Sequence, residues 1–327
     1  MEIPVLNFDE MFKNLKNTSY PHQNFYVAMY SSWFGGIIFN PQLMLIPIDD
    51  HMVHRGDGVF EAFKCVNGNI YQLDAHFNRL KNSLNKIQLT PPYPLEEIKE
   101  IVIKTIRVSG EKNCIIRLYV SRGPGDFSPK PEKSIGAQLY VVITKIEPTE
   151  ERKRKTGCSL KISKVPTKDP FFATVKSCNY LQNVLMKMEC HKLGVDYMIN
   201  ITEEGKIGEG ATENFAIITR DNRFLTPPFD YILKGTTILR ALNFAKEMVE
   251  QGLLKEAKTC DLYSNDLKDA KEILVFGTTM DVLPITTFEE RDVGDGRPGK
   301  FYKLFFEKFI EDQTKNKEVL TPVWQDF

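Results

Sequence analysis

The sequence lacks an excess of charge of either sign, and it lacks an apolar run long enough to span a bilayer. Its 43 basic and 43 acidic side chains cancel to a formal net charge of zero, which argues against nucleic-acid binding through a general basic field. No apolar stretch approaches the roughly 20 residues that a transmembrane helix needs. The N-terminus, MEIPVLNFDEMFKNL, is unlike a signal or transit peptide in composition. We therefore expect a cytoplasmic protein that binds neither nucleic acid nor membrane.

Paired cysteines and a metal-binding motif are also missing. The six cysteines are scattered and never form a C-x-x-C pair, which in a chain of this size indicates reduced thiols in a reducing compartment. The histidines show no H-E-x-x-H spacing. His51 and His54 lie three residues apart, but no further zinc ligands are evident, so we expect no metal.

What the sequence contains is material for two domains. Its 327 residues, 42% hydrophobic and 26% charged, suit two domains of ordinary size or one large one. The clearest break in composition is the highly charged stretch EPTEERKRKTG, which begins at Glu147. We therefore predict a solvated linker at residues 147–156. It would join a smaller N-terminal α/β domain, 1–146, to a larger C-terminal domain, 157–327.

Periodicity predicts strands and helices without regular β-α-β alternation. Strands are expected at 33–48 and 58–71 with turns at Asn40-Pro41 and Asn67-Gly68, and further strands at 114–122, 138–144, 159–165, 197–202, 214–219 and 272–276. Helices are expected at 73–87, 94–108, 181–193, from 236 to about 250, and 301–309. This mixture predicts an α+β fold, with mixed sheets and flanking helices. Four apolar residues are expected in the core rather than at a subunit interface: Phe34, Ile37, Ile38 and Phe39.

Three features are consistent with a phosphate site. Gly235-Thr236-Thr237 begins a predicted helix, whose free amides and dipole attract an anion. Gly277-Thr278-Thr279 follows a buried strand and supplies two hydroxyls, and Arg79 lies at the edge of an apolar helix stripe. Each also has a simpler explanation: a helix cap, a turn and a solvated arginine. The residues alone therefore leave the phosphate site open.

Two further residues are candidates for contact with a cofactor. Lys176 lies in an apolar run just before a helix, where desolvation would lower the pKa of its amine, as a Schiff-base lysine requires. An exposed lysine at the end of a strand would give the same pattern. Glu209 lies between two glycines, where its carboxylate would hold a heterocycle nitrogen or simply occupy a hairpin.

Seven motifs together resemble the class IV, or fold-type IV, aminotransferases, which depend on pyridoxal 5′-phosphate (PLP). In chain order they are RGDGVFE from Arg55, DAHFNRL from Asp74, VKSCNYL from Val175, GEGATEN from Gly208, LKGTT from Leu233, GTT from Gly277 and GDGRPG from Gly294. The resemblance covers nearly the whole chain. It implies a two-domain fold of the D-amino-acid aminotransferase type, with PLP in the larger C-terminal domain, and a homodimer.

The resemblance also assigns roles to individual residues. Lys176 would be the catalytic lysine that carries PLP as a Schiff base, and Glu209 would pair with the pyridine nitrogen. The phosphate would be bound by Arg79, Thr236, Thr237 and Thr278. Tyr180 lies four residues after the lysine, about one residue short of the position that branched-chain enzymes use, so its contact with the cofactor is left open.

Local sequence is most similar to plant-type D-amino-acid aminotransferases, a group also linked to aminodeoxychorismate lyase activity. Bacterial D-amino-acid aminotransferases hold the substrate carboxylate with an Arg-x-His pair, and the matching positions here are Phe127 and Pro129. That carboxylate-binding pair is therefore absent. The remaining candidates for substrate binding are Arg55, Arg117, Arg122 and Thr279.

The predicted reaction moves an amino group between an amino acid and a 2-oxo acid. D-amino acids or small amino acids are the favoured substrates. The GEGATEN motif favours instead a branched-chain L-amino-acid aminotransferase. The same lysine would also serve an aminodeoxychorismate lyase that releases pyruvate and p-aminobenzoate.

We expect Lys176→Ala to abolish turnover, because the variant has no amine to bind the cofactor or to move a proton. The absorbance of lysine-bound PLP should disappear with it. PLP that still binds covalently at another residue would show that Lys176 is not the cofactor lysine.

Overall fold

Two β-sheets organise the chain, and the computed structural model describes residue 1 and residues 3–324. The first sheet is antiparallel throughout, with the order β15-β4-β3-β5-β6-β1-β2. Its seven strands are β1 (Tyr26–Ser31), β2 (Gly36–Ile38), β3 (Gly58–Val66), β4 (Asn69–Tyr71), β5 (Cys114–Ser121), β6 (Gln138–Lys145) and, from the far end of the chain, β15 (Leu320–Pro322).

The second sheet is mixed, with the order β11-β10-β9-β12-β13-β7-β8 and one further strand, β14, paired to β13. Its strands are β7 (Cys158–Ile162), β8 (Tyr197–Ile199), β9 (Asn214–Ile218), β10 (Arg223–Thr226), β11 (Glu256–Thr259), β12 (Glu272–Gly277), β13 (Asp281–Phe288) and β14 (Arg291–Asp292). The pairs β7–β8, β7–β13 and β10–β11 are parallel, and the others are antiparallel.

Helices cover the sheets, which confirms the predicted α+β class. They are α1 (Phe8–Asn17), α2 (His51–Arg55), α3 (Leu73–Lys86), α4 (Leu95–Ser109), α5 (Glu151–Lys155), α6 (Pro170–Ala173), α7 (Leu181–Leu193), α8 (Thr236–Glu250), α9 (Ser264–Lys268) and α10 (Lys300–Lys315). Helices α3 and α4 pack on the first sheet around one apolar core. Helices α8 and α10 pack on one face of the second sheet, and a separate core lies on its other face.

Local sequence explains the elements nearest the site. The hairpin between β3 and β4 turns at Asn67 and Gly68, both with positive φ, as a two-residue type I′ turn requires. In α3, Leu73, Phe77, Leu80 and Leu84 are buried at helical spacing, and Arg79 therefore lies at the edge of the buried face.

The strand prediction for residues 33–48 is wrong over most of its length. Only β2 is a strand there, and the adjacent strand β1 was not predicted. The side chains of Phe34 and Phe39 are 53% and 55% exposed, so the expectation that both lie in the core is also wrong, whereas Ile37 does pack against the core. Apolar content alone misleads here, because residues 32–35, with Gly35 at φ +70°, form the turn between β1 and β2, and a 3₁₀ helix begins at Pro41 soon after β2.

The charged segment at residues 147–156 makes specific contacts. It contains α5, whose Arg154 donates to the carbonyl oxygen of Met280 at 3.2 Å and lies over the Phe306 ring. Strand β15 returns from the second half of the chain to pair with β4 in the first sheet. The domain boundary at this segment stays a prediction, and the β15–β4 pairing ties the first sheet to the second half of the chain.

Candidate active site

A buried carboxylate organises one end of the site. Glu61 on β3 is fully buried and accepts from Arg79 on α3 through two bonds of 2.7 Å, one from Nε and one from Nη2. The same carboxylate lies 2.7 Å from Nδ1 of His76, and Nε2 of His76 lies 3.2 Å from the hydroxyl of Thr236 on α8. Glu61 therefore joins β3 to α3, and His76 extends the connection to α8, 160 positions further along the chain.

The charge states in this cluster follow from its contacts. Burial opposes ionisation of Glu61, but the guanidinium of Arg79 and the bond from His76 outweigh it and lower the pKa of Glu61 to about 2. Burial lowers the pKa of His76, so its ring is neutral at neutral pH. A carboxylate only accepts, so Nδ1 carries the proton and Nε2 accepts from the Thr236 hydroxyl.

The amino end of α8 lies beside this cluster. Gly235 precedes the helix, and no side chain caps its first turn, so backbone amides are available there to an anion. Only glycine fits at 235, because a Cβ would lie 2.0 Å from Oδ1 of Asn214. Nη1 of Arg79 reaches the carbonyl of Lys234 at 3.4 Å. The structure therefore brings Arg79 next to the start of α8, where Thr236 and Thr237 lie; their role in binding a phosphate stays a prediction.

The segment that contains Lys176 lies alongside β3. The Lys176 carbonyl accepts from the Phe60 amide at 3.0 Å, and its own amide donates to the buried Ser83 hydroxyl at 3.1 Å. Its amine lies 4.3 Å from the centre of the Phe60 ring. Burial, with the positive charge of Arg79, lowers the pKa of this amine to about 8.

Glu209 lies in the same pocket as Lys176. A pocket beside Lys176 is lined by Lys176, Tyr180, Glu209, Lys168 and Leu233. The Glu209 carboxylate accepts from the Leu233 amide at 2.9 Å. Burial raises the pKa of Glu209 to about 7, although the nearby cations favour its charged form. An acid and an amine with shifted pKa values thus share one pocket, which is typical of a functional site.

A wider cleft of about 910 Å³ adjoins this pocket, since Thr212 and Glu213 line both. Arg117 on β5 and Thr279 both line the cleft. Arg117 donates to the hydroxyl of Thr144 at 2.6 Å. Thr278 and Thr279 lie on the turn between β12 and β13, with Thr278 partly exposed.

The other two candidate arginines bind the protein itself. Arg122 forms a two-bond ion pair with Asp57, at 3.0 Å each, and donates to the carbonyls of Ile87 and Gln88. Arg55 is exposed, and its guanidinium donates to the carbonyls of His54 and Phe127. The structure does not bring either guanidinium into the pocket with Lys176, and their predicted role in substrate binding stays untested.

Sequence reasoning missed four residues of this site: Glu61, His76, Ser83 and Lys168. Glu61 and His76 lie within two of the motifs, but their partners are found only in the folded chain. Lys168 donates to Asn183 at 2.8 Å, and its amine lies 5.2 Å from the centre of the Tyr180 ring. The sequence signal for part of this network is that Glu61, at the end of RGDGVFE, interrupts an otherwise apolar run at residues 59–63.

Comparison with known proteins identifies the family. A family model described as amino-transferase class IV matches residues 58–288. The chain belongs to the class IV aminotransferases. It is 37% identical to the chloroplastic D-amino-acid transaminase of Arabidopsis thaliana, over 95% of this chain and 82% of the relative. It is 30% identical to a putative branched-chain-amino-acid aminotransferase of Methanocaldococcus jannaschii, over 83% of this chain and 92% of the relative.

Solved structures of branched-chain aminotransferases have a similar fold. One, a branched-chain amino acid aminotransferase with pyridoxamine 5′-phosphate, superposes with a TM-score of 0.84 and 22% identity, over 91% of this chain and 99% of that one. Another, from Thermoproteus uzoniensis with norvaline, superposes with a TM-score of 0.80 and 22% identity, over 91% of this chain and 100% of that one. At that identity the likeness shows the fold, and it agrees with the predicted fold-type IV architecture.

This class IV aminotransferase is a PLP-dependent transferase that acts on an amino acid and a 2-oxo acid. Its own residues fit PLP: an uncapped helix end with Arg79 suits the phosphate, and a buried Glu209 suits a basic ring nitrogen. No helix among residues 3–324 is long and apolar enough to cross a membrane.

We expect Glu61→Gln to lower the free energy of unfolding at neutral pH by about 3 kcal/mol, because it removes the buried partner of Arg79. The pKa of Glu61 in the folded protein, about 2, lies below its ordinary value of 4.5. Its ionisation therefore stabilises the fold above about pH 4.5, and this contribution is lost as the pH falls toward about 2.

Denaturant unfolding of both proteins at several pH values between about 3 and 7 tests this. The difference between wild type and E61Q should shrink as the solution becomes more acid. Glu96→Gln, which removes an exposed ion pair with Lys99, is the control and should change little. A difference that is constant with pH would contradict the lowered pKa.

Proposed function

We propose that this enzyme transfers the amino group of D-amino acids or other small amino acids. The observation that carries the proposal is the 37% identity to the D-amino-acid transaminase of Arabidopsis across 95% of the chain. A branched-chain L-amino-acid aminotransferase is the second candidate, favoured by the relative from Methanocaldococcus jannaschii. Aminodeoxychorismate lyase activity is the third, since it needs the same lysine.

We propose Lys176 as the residue that binds PLP covalently and moves the proton. With a pKa of about 8, an appreciable fraction of the amine is neutral near neutral pH, and only the neutral amine is a nucleophile. Bound PLP supplies an electron sink for the Cα of the amino acid. With the substrate bound, the Nζ of Lys176 would take the proton from the amino-acid Cα and give it to the cofactor carbon that carries the substrate nitrogen.

Glu209 would hold the ring nitrogen. Its carboxyl is buried, with a pKa of about 7, so its charged and neutral forms are similarly populated at neutral pH. A protonated ring nitrogen beside it would favour the carboxylate. The Leu233 amide, at 2.9 Å from Oε2, would keep the carboxylate oriented.

The phosphate would lie between Arg79 and the start of α8. Glu61 takes Nε and Nη2 of Arg79. Nη1 donates one hydrogen to the Lys234 carbonyl, and its second hydrogen would face the anion. Because the Thr236 hydroxyl already donates to His76, Thr236 would offer its amide, while Thr237 and Thr278 would offer amides and hydroxyls.

Arg117 is the best supported of the three arginines for binding a substrate carboxylate. Its side chain lines the cleft with Thr279, whereas Arg55 and Arg122 donate to carbonyls and to Asp57. A guanidinium with one bond to Thr144 retains donors for a carboxylate.

We also propose a homodimer and a reducing compartment. Helix α7 has an exposed apolar stripe at helical spacing, formed by Leu181, Val184, Leu185 and Met188. An exposed apolar face of this kind is typical of a subunit interface. The six cysteines are free thiols, which suits the cytoplasm; the plastid is the alternative, because the Arabidopsis relative is chloroplastic.

A half-reaction panel tests the substrate. Purified holoenzyme is mixed separately with D-Ala, L-Leu, L-Glu and aminodeoxychorismate while the absorbance of lysine-bound PLP is followed. D-Ala should deplete that band and form pyridoxamine 5′-phosphate. Conversion by L-Leu without conversion by D-Ala would favour the branched-chain enzyme, and p-aminobenzoate without pyridoxamine 5′-phosphate would favour the lyase.

Sedimentation velocity tests the homodimer. The wild type should sediment as a dimer, and the double variant V184E/M188E as a monomer, because two carboxylates would have to be buried at the interface. Lys192→Glu, a charge reversal at an exposed position of the same helix, is the control. A V184E/M188E dimer as tight as the wild type would place the interface elsewhere.

A further inference from the structure

The turn that carries Thr278 and Thr279 is held from outside its own hairpin. The turn closes with the Met280 amide donating to the Gly277 carbonyl at 3.3 Å. Arg154 of α5 donates to the Met280 carbonyl, and the Tyr197 hydroxyl lies 3.1 Å from the Met280 sulfur. The residue that follows the turn, Asp281 at the start of β13, also contacts other elements.

Asp281 forms a buried ion pair across the two sheets. The Nζ of Lys64, on β3 of the first sheet, lies 2.5 Å from Oδ1 of Asp281, and Gln313 of α10 donates to the same oxygen at 2.7 Å. Lys64 and Asp281 are only 5% and 6% exposed. Asp281 has φ +64°, a conformation that aspartate tolerates better than most residues.

Neither charge has a role in the chemistry described above. A buried carboxylate without a cation is strongly destabilising, so Lys64 is what allows a charged residue at the end of this turn. Strand β3 also carries Glu61, which orients Arg79. The same strand therefore bonds to both sides of the proposed phosphate site, through Glu61 on one side and through Lys64 on the other.

We propose that Lys64 is a positioning residue for the turn at Thr278 and Thr279. Acting through Asp281, it fixes the hydroxyls and amides of the turn relative to Arg79 and α8. This rests on the proposed function, in which Thr278 binds the cofactor phosphate and Thr279 lies beside the substrate.

Four full-length variants separate positioning from general stability. Lys64→Met removes the cation and leaves Asp281 unpaired, and Asp281→Asn removes the carboxylate. The double variant K64M/D281N removes both charges, and should therefore fold even if a single variant does not. Tyr71→Phe is the matched control: it removes the hydroxyl bond to Asp312, 2.6 Å long and across the same boundary, and keeps the ring that lies beside the Lys64 amine.

Hydrogen exchange measures the protection of the amides in the turn, independently of cofactor binding. In K64M and in the double variant, amides of the peptide that contains Thr278 and Thr279 should exchange on the order of tenfold faster than in wild type. In Y71F they should exchange at the wild-type rate. Equal acceleration in Y71F and K64M, or none in the double variant, would overturn the positioning role.

The affinity for PLP measures the effect of the turn on the proposed phosphate site. Loss of a well-placed bond to the phosphate should weaken PLP binding about tenfold, while pyridoxal, which has no phosphate, should bind as it does to wild type. A PLP-to-pyridoxal affinity ratio unchanged in the double variant would overturn the inference. A wild type that retains no PLP after borohydride reduction would instead refute the proposed function. The hydrogen-exchange rates would still test whether Lys64 holds the turn in place.

Discussion

The site depends on one buried carboxylate, Glu61, and on the strand that carries it. A charge at this depth is stable only because Arg79 and His76 satisfy both of its oxygens. Those bonds fix α3 against β3, and the neutral His76 then extends the network to Thr236 on α8. The Lys176 segment bonds to the same strand at Phe60 and Gly58. An error in the placement of β3 would therefore misplace the amine, the arginine and the helix end together.

Burial also sets the chemistry of the pocket. Desolvation disfavours charge on an amine and on an acid alike, so the pKa of Lys176 falls to about 8 and that of Glu209 rises to about 7. Both groups are consequently able to change protonation near neutral pH, which general acid–base chemistry requires. The positive charge of Arg79 is matched by Glu61, so the phosphate end combines a partly neutralised guanidinium with helix amides. PLP, with an anion at one end and a basic nitrogen at the other, complements this arrangement.

Much of the fold was predictable, and the failures have a physical cause. The stripe of α3 and the Asn67-Gly68 hairpin were predicted because their signals are local: helical spacing and positive φ. The prediction for residues 33–48 failed because Phe34 and Phe39, which are exposed, resemble core residues in the sequence. The sequence neighbours of an apolar side chain do not reveal whether it packs inside its own chain or stays at the surface, where large apolar groups serve as contacts for other molecules.

The sequence by itself determined the fold class and the kind of chemistry. Seven ordered motifs predicted the PLP enzyme class, which the family match confirms, and they nominated Lys176, Arg79 and Glu209. Only the tertiary structure decided which arginine lines the cleft, which is paired with Asp57, and which partners Glu61 and Lys64 bond. The reason is that pKa values, ion pairs and access to a cleft depend on burial and on partners such as Asp281, 217 positions from Lys64 along the chain. No local pattern encodes such a partner.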